Sequence, residues 1–204
     1  MVRLKNLKPR TVAEVGCGAG EILVQLSKHL PDSRFVGYEL SPQAFELCKP
    51  RANERVDYFN TDLCELEDTL YDLVLCIDVF EHIEDYFTFL RRLSHRGRAF
   101  IFHIPLDMNV QMVARSRPIM MVREAVGHLH YFSKDTALAT LSDCGYQTES
   151  WLYTPGGTDR PKTFKARALR IPRKILFFIS QDLTAKILGG YSLLVYASPL
   201  ADRT

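Results

Sequence analysis

The sequence predicts an α/β domain built on a seven-stranded, mostly parallel sheet with helices on both faces. Three observations carry that expectation. Short apolar runs rich in β-branched residues alternate with amphipathic stretches, as in βα units of a parallel sheet. A glycine-rich segment, Gly16-Cys17-Gly18-Ala19-Gly20, falls directly between the first such run and the first amphipathic stretch. The chain has 204 residues, 47% of them hydrophobic and 25% charged, enough for one core of ordinary size but not for two full domains. Residues 1–204 therefore read as a single domain.

Each element has its own signal. Thr11 to Val15 is the first strand, and Glu21 to Leu30 a helix whose Ile22, Leu23, Leu26 and Leu30 share one face. Arg34 to Leu40 is the second strand. Ser41 followed by Pro42 starts a helix, a capping hydroxyl before a proline at the first helical position, and that helix runs to about Lys49. Arg55 to Asn60 is the third strand. Tyr71 to Ile77 is the fourth, apolar enough to be buried on both faces. Asp85 to Ser94 is helical with Tyr86, Phe87, Leu90 and Leu93 inward, and Arg98 to Ile104 is the fifth strand, stopped by Pro105. Ser133 caps a helix from Lys134 to Cys144 that ends at Gly145. Tyr146 to Tyr153 and Tyr191 to Ala197 are the sixth and seventh strands. The connections 105–132 and 154–190 exceed the length of simple turns and leave the same edge of the sheet, so they are expected to wall a substrate site.

Composition excludes several classes. The longest apolar runs, such as Ile175 to Ile179, fall far short of the ~20 residues of a membrane-spanning helix. Residues 1–10 carry four basic side chains and no apolar stretch, which does not read as a secretory signal, and the default expectation is cytoplasmic. Cys17, Cys48, Cys64, Cys76 and Cys144 are odd in number and never spaced as CxxC, so they read as buried thiols. Lys and Arg number 26 against 24 Asp and Glu, but seven positive residues and no acid lie between Arg160 and Lys174. That segment is the one basic region of a chain otherwise net acidic.

Glycines between a strand and a helix permit positive φ and let the backbone approach a ligand at a helix N-terminus. Glu39 closes the second strand nineteen residues after Gly20, where a carboxylate can accept from the hydroxyls of a ribose. A dinucleotide fingerprint is GxGxxG, whereas here the third glycine comes one residue early and Glu21 follows it. An acid at that mouth repels a pyrophosphate and tolerates a ligand bearing an amino group and a sulfonium. The loop thus favours S-adenosylmethionine over NAD.

Taken with YELS at Tyr38 to Ser41, NTDL at Asn60 to Leu63, YDLVLCIDVFEHIED at Tyr71 to Asp85 and GHLHYFS at Gly127 to Ser133, the segment EVGCGAG at Glu14 to Gly20 resembles the class I S-adenosylmethionine-dependent methyltransferases. Within them the chain is similar to the group that includes ubiquinone-biosynthesis-like and small-molecule methyltransferases, over about residues 11–153 and 191–197. The resemblance implies a Rossmann-like sheet whose last strand is antiparallel, with helical insertions after strands 5 and 6. It also implies S-adenosylmethionine as methyl donor and S-adenosylhomocysteine as product. By the same resemblance Glu14, Gly16, Gly18 and Gly20 hold the methionine moiety, and Glu39, with Leu40 beside it, holds the ribose. Asp62 bonds the adenine amino group with Leu63 beside the ring, and Asp78 and Val79 line the methionine side.

Methyl transfer is an in-line displacement that alignment and exclusion of water can drive, so no catalytic residue is strictly required. Should an acceptor need deprotonation, His82 is the nearest imidazole to the reaction centre, and Glu81 beside it reads as meeting solvent or a helix start. His128 and His130 alternate, yet no third ligand is evident, so the pair, with Tyr131, reads as structural or substrate-contacting and no metal is expected. Met108, Met112, Met120 and Met121 fall within the first insertion, as an adaptable apolar lid or as an insert packed on the body; Met108 and Met112 are the substrate-side candidates. In the second insertion a basic run meets Ile175 to Ile179, and residues 160–179 suit a peripheral contact with an anionic membrane or a solvated face over a packed helix. Nucleic acid is the weaker partner, because only Phe164 is interleaved among the charges.

Many relatives carry N-terminal helices that close over the cofactor, whereas about ten residues precede the first strand here. The site is then covered by the insertions, left open to a bulky, lipidic or carrier-linked acceptor, or closed by a second subunit. The expected function is methyl transfer to an O, N or C nucleophile of a small, apolar acceptor. Two alternatives stay open: an NAD(P)-dependent oxidoreductase, disfavoured by GxGxG and by the absence of a Tyr-x-x-x-Lys pair, and a non-catalytic adenosyl-binding interaction module. Neither the acceptor nor the oligomeric state is set by these residues.

Overall fold

A computed structural model describes residues 6–67, 69–156 and 170–200, the last span without the side chains of residues 170–174. The strands are β1 (Thr11–Val15), β2 (Arg34–Tyr38), β3 (Val56–Phe59), β4 (Leu73–Ile77), β5 (Phe100–Pro105), β6 (Tyr146–Pro155) and β7 (Tyr191–Pro199). They form one sheet in the order β3-β2-β1-β4-β5-β7-β6. The first five strands are mutually parallel, and β7 runs antiparallel to both β5 and β6. The order reverses between β1 and β4, so a crevice opens where the carboxyl ends of those strands diverge.

The helices are α1 (Glu21–Ser27), α2 (Pro42–Cys48), α3 (Tyr86–Leu93), α4 (Val110–Arg115), α5 (Arg117–Val126), α6 (Lys134–Asp143), α7 (Arg170–Ile179) and α8 (Gln181–Leu188). Starts follow local chemistry. Ser41 caps α2 by accepting from the Ala44 amide at 3.3 Å, Asp85 caps α3 through Thr88, and Ser133 and Thr136 form a capping box on α6. Helix α1 stops at Ser27, one turn before the expected Leu30. The Arg55 guanidinium sits at its end and donates to the carbonyls of Ser27, Leu30 and Pro31, which satisfies the orphan acceptors of an early stop.

Two clusters of buried side chains sandwich the sheet. One gathers Phe80, Phe100, Phe102, Leu90, Leu93, Leu141 and Tyr146 under α3 and α6. The other gathers Leu23, Phe35, Val56, Leu73 and Leu75 under α1 and α2. On that second face a cleft of about 1020 Å³ lies between residues 6–10, Ile22 and Leu26 of α1, and Leu75, Ile77, Ile101 and Leu194 of the sheet. Both insertions are helical as expected, α4 and α5 after β5, α7 and α8 after β6. Among the described residues no helix is long and apolar enough to cross a membrane.

Candidate active site

The strand-to-helix turn after β1 places Gly16, Gly18 and Gly20 at φ of +64°, +53° and +79°, the conformation for which glycine was expected there. What fixes the turn is the next strand. The Glu39 carboxylate accepts from the Gly18 amide at 2.7 Å through Oε2 and from the Ser41 amide at 2.8 Å through Oε1. The Cys17 amide donates to the Tyr38 carbonyl at 3.1 Å, and the Tyr58 hydroxyl on β3 donates to the Gly20 carbonyl at 2.7 Å. The approach is close enough that a Cβ on Gly37 of β2 would lie 2.5 Å from the Tyr58 ring and 2.8 Å from the Cys17 sulfur.

Above this turn lies a pocket of about 590 Å³, lined by Val15, Gly16, Tyr38, Glu39, Leu40, Ser41, Thr61, Asp62, Cys64, Asp78, Val79, His82, Ile83, Asp85, Thr88, Phe89 and Arg92. Among the described residues its walls carry four carboxylates, Glu39, Asp62, Asp78 and Asp85, against one permanent cation, Arg92. Arg92 is already engaged, 2.8 Å from Glu65 and 3.1 Å from the Cys64 carbonyl. The pocket is therefore net negative, which suits a ligand with a sulfonium and an ammonium and opposes a pyrophosphate. Asp62 is held by the Cys64 amide at 2.8 Å and caps a short 3₁₀ turn, Leu63–Glu65. Leu63 itself is fully buried beneath the wall, whereas Leu40 is exposed at the rim.

Glu14 does not line the pocket. It is buried on β1 directly before the turn, with Oε2 unpartnered, and its pKa is pushed up to about 8 by burial first and by the nearby Glu39 charge second.

The segment after β4 corrects two expectations. Glu81, read as meeting solvent or a helix start, lies in the short 3₁₀ turn Phe80–His82 but is fully buried, its two oxygens without hydrogen-bond partners, and burial pushes its pKa up to about 8, with smaller contributions from Asp78 and Asp107. A third donor beside the histidines, not evident in the sequence, is present. Ligand atoms of Glu81, His82 and His128 lie within 4.8 Å of one another. Each imidazole is held by its other nitrogen, His82 Nδ1 by the Gly127 carbonyl at 3.2 Å and His128 Nδ1 by Asp107 at 2.7 Å. This is the number and kind of donors that a divalent ion takes with positions left open. The sequence missed it because His128 reaches Glu81 across 46 residues, on a segment whose Leu129 and His130 amides donate to the Glu81 carbonyl. His130 turns elsewhere, with Nε2 3.2 Å from the Glu84 carbonyl.

A second missed group is His103, the polar residue in the apolar run of β5. Its Nδ1 lies 2.6 Å from Asp78 Oδ1 and its Nε2 lies 2.8 Å from Thr154 Oγ1. Asp78 is one of three non-glycine residues of positive φ among the described residues, at +52°, and its amide donates to the His103 carbonyl at 3.0 Å. Of the substrate-side candidates, Met108, Met112, His128, His130 and Tyr131 lie outside the 590 Å³ pocket. Met108 is exposed, Tyr131 donates to the His128 carbonyl, and no residue of α4 or α5 is buried. In the second insertion Ile175, Leu176, Phe178 and Ile179 are exposed, while the side chains of the basic run 160–174 lie outside the described residues.

Comparison with known proteins agrees with this geometry. Residues 13–97 match the family model described as a methyltransferase domain. A ubiquinone biosynthesis O-methyltransferase of Azorhizobium caulinodans is 34% identical over 94 residues, 44% of this chain and 36% of that protein. The chain spans between 23% and 36% of the lengths of the curated relatives it matches. A Haloferax volcanii methyltransferase solved with the Trm112 activator superposes with a TM-score of 0.68 at 15% identity, covering 96% of this chain and 84% of that one. The N-methyltransferase NodS of Bradyrhizobium japonicum, in complex with S-adenosyl-L-homocysteine, gives a TM-score of 0.61 at 16% identity over 96% of this chain and 81% of its own. The sheet order is shared with these methyltransferase structures, and the glycine turn and its carboxylate clamp lie inside the segment that matches the methyltransferase-domain model.

Proposed function

We propose that the chain binds S-adenosylmethionine in the 590 Å³ pocket and catalyses methyl transfer to an O, N or C nucleophile of a small, apolar or lipid- or carrier-linked acceptor, releasing S-adenosylhomocysteine. The observation that carries this reading is the net negative pocket seated on a turn whose Gly18 amide is clamped by Glu39. S-adenosylmethionine, when bound, supplies an electrophilic methyl group on a cationic sulfur.

The protein's own residues do the rest. Each Glu39 oxygen spends one lone pair on the backbone and keeps another for a ribose hydroxyl, so one carboxylate both shapes the turn and grips the ligand. Asp62 uses Oδ1 for its cap and offers Oδ2 to an adenine amino group. Gly16 and Gly20 form the floor for the methionine part, with Glu14 beneath them, and Asp78 and Val79 close the far wall. His82, the base expected from the sequence, stands on the same wall. Met108 and Met112, with His128, His130 and Tyr131 behind them, are assigned to the acceptor side. The exposed Phe178 and Ile179 beside the basic run favour a peripheral contact with an anionic lipid surface, from which a lipidic acceptor is taken.

Calorimetric titration with S-adenosylmethionine, S-adenosylhomocysteine and NADH, followed by an acceptor screen for S-adenosylhomocysteine release, tests the proposal. Micromolar binding of both adenosyl ligands and none of NADH is expected. Absence of adenosyl binding refutes it and brings the interaction-module reading forward.

A further inference from the structure

His103 is unusual by position. It sits on the carboxyl half of β5, in register with Ile77 of β4 and Leu194 of β7, where the neighbouring strand residues are apolar. Its ring is fastened at both nitrogens, to Asp78 at the end of β4 and to Thr154 near the end of β6. All three residues stand on the carboxyl edge of the sheet, because β6, antiparallel to β7, runs parallel to β5. Asp78 lines the pocket, and Thr154 is the last residue but one of the strand that leads into the second insertion. The set thus joins the pocket wall to the strand that leads into the second insertion.

Protonation chemistry gives this set a direction. A carboxylate only accepts, so Nδ1 carries the hydrogen, and Nε2 of the neutral ring holds a lone pair that accepts from the Thr154 hydroxyl. When Nε2 gains a proton the hydroxyl turns, accepts from Nε2–H and donates to the Ser192 carbonyl, 3.4 Å away. The ring therefore takes up a proton without losing a hydrogen bond, and Asp78 at 2.6 Å balances the charge formed. His82 lacks this exit: its Nε2 faces the buried Glu81 carboxyl at 3.9 Å, and its Nδ1 is tied to a backbone carbonyl.

We propose that His103 is the proton acceptor for transfer to an O–H or N–H nucleophile, with Thr154 as the relay and Asp78 as the counter-ion. This rests on the methyltransferase reading above. As the acceptor heteroatom bonds to the methyl carbon, the carbon–sulfur bond breaks and its electron pair stays on sulfur. The heteroatom's proton passes to Thr154 Oγ1, whose own proton passes to His103 Nε2, and the imidazolium releases it to solvent after product leaves. Around the ring β4 brings the Asp78 carboxylate, β6 the Thr154 hydroxyl, and β7 the Ser192 carbonyl and Leu194. Among the described residues Asp78 is the charged group hydrogen-bonded to it.

The first test needs no acceptor. Nitrogen-15 NMR of the histidine rings in the wild-type chain is expected to show His103 neutral with its proton on Nδ1, and Thr154→Val is expected to shift its Nε2 signal alone. A neutral ring protonated at Nε2 overturns the proposal. The second test uses the acceptor from the screen. His103→Gln is expected to lower kcat about 100-fold, the scale of general-base catalysis, while the Kd for S-adenosylhomocysteine changes less than twofold. Its residual rate is expected to climb with pH as the acceptor ionises unaided, whereas the acidic limb persists in His82→Gln whatever its rate. A lost acidic limb in His82→Gln with a normal profile in His103→Gln overturns the assignment. Failure to bind S-adenosylhomocysteine refutes the methyltransferase reading instead, and the ring NMR still decides the hydrogen-bonded arrangement.

Discussion

Replacing Glu81 by Gln should stabilise the fold, and the gain should grow with pH. Glu81 is fully buried with both oxygens unpartnered, and its pKa stands at about 8 against an ordinary value of 4.5. A carboxyl raised in this way favours folding in its protonated form. Its contribution is whole below about pH 4.5 and is lost as pH rises toward 8, because the unfolded chain ionises there while the folded chain resists. Between pH 5 and 7 the linkage amounts to roughly 2–3 kcal/mol for one such group, at about 1.4 kcal/mol per pKa unit. Urea denaturation of wild type and Glu81→Gln at pH 5, 6, 7 and 8, with a chelator present, measures it. The chelator matters because an ion among Glu81, His82 and His128 would hold the carboxylate charged and reverse the slope. The difference between the two proteins isolates Glu81, since a fixed cost of the amide moves every point equally. A difference independent of pH would show that Glu81 titrates normally and that its burial is relieved in solution.

Other variants probe the turn and the surface. Glu39→Ala should weaken S-adenosylmethionine binding by about 1.5–3 kcal/mol in calorimetry, the range for a hydrogen bond to a charged group, and an unchanged Kd would remove Glu39 from the ribose. Gly37→Ala, which forces a Cβ to within 2.5 Å of Tyr58, should lower both Tm and cofactor affinity, and a normal Tm would show that Tyr58 moves aside freely. Tyr58→Phe removes the hydroxyl's bond to the Gly20 carbonyl, which keeps the Val24 amide at 3.4 Å, and should cost about 0.5–1.5 kcal/mol in urea denaturation, the range for one lost hydrogen bond. Phe178→Asp with Ile179→Asp should abolish flotation with anionic vesicles, and wild-type protein that fails to float disposes of the lipid-surface contact.

The parts legible in the sequence were those fixed by local rules. Strand and helix positions follow from periodicity, and the starts of α2 and α6 from Ser41-Pro42 and Ser133, because a cap acts within four residues. The glycine turn and Glu39 were legible since both lie beside strand ends, where the topology brings neighbours together. Boundaries set by distant partners were not. Helix α1 ends early through Arg55, 28 residues after Ser27 in the chain.

The same distinction separates the parts of the site. Glu81 looks like any acid near a helix start until the segment around His128 folds over it and removes the water that an exposed carboxylate would keep. His103 looks like a lone polar residue in a buried strand until Asp78, turned by its positive φ, and Thr154, delivered by an antiparallel hairpin, meet it from either side. Polar residues at the carboxyl ends of apolar strands carry the signal that could have found them: burying an imidazole in such a run is costly unless both nitrogens are satisfied. A histidine in that position therefore implies polar partners at the same edge of the sheet before any coordinates are known. Here those partners are an acid on the pocket wall and a hydroxyl near the end of β6, so satisfying the ring also ties the pocket wall to the strand that leads into the second insertion.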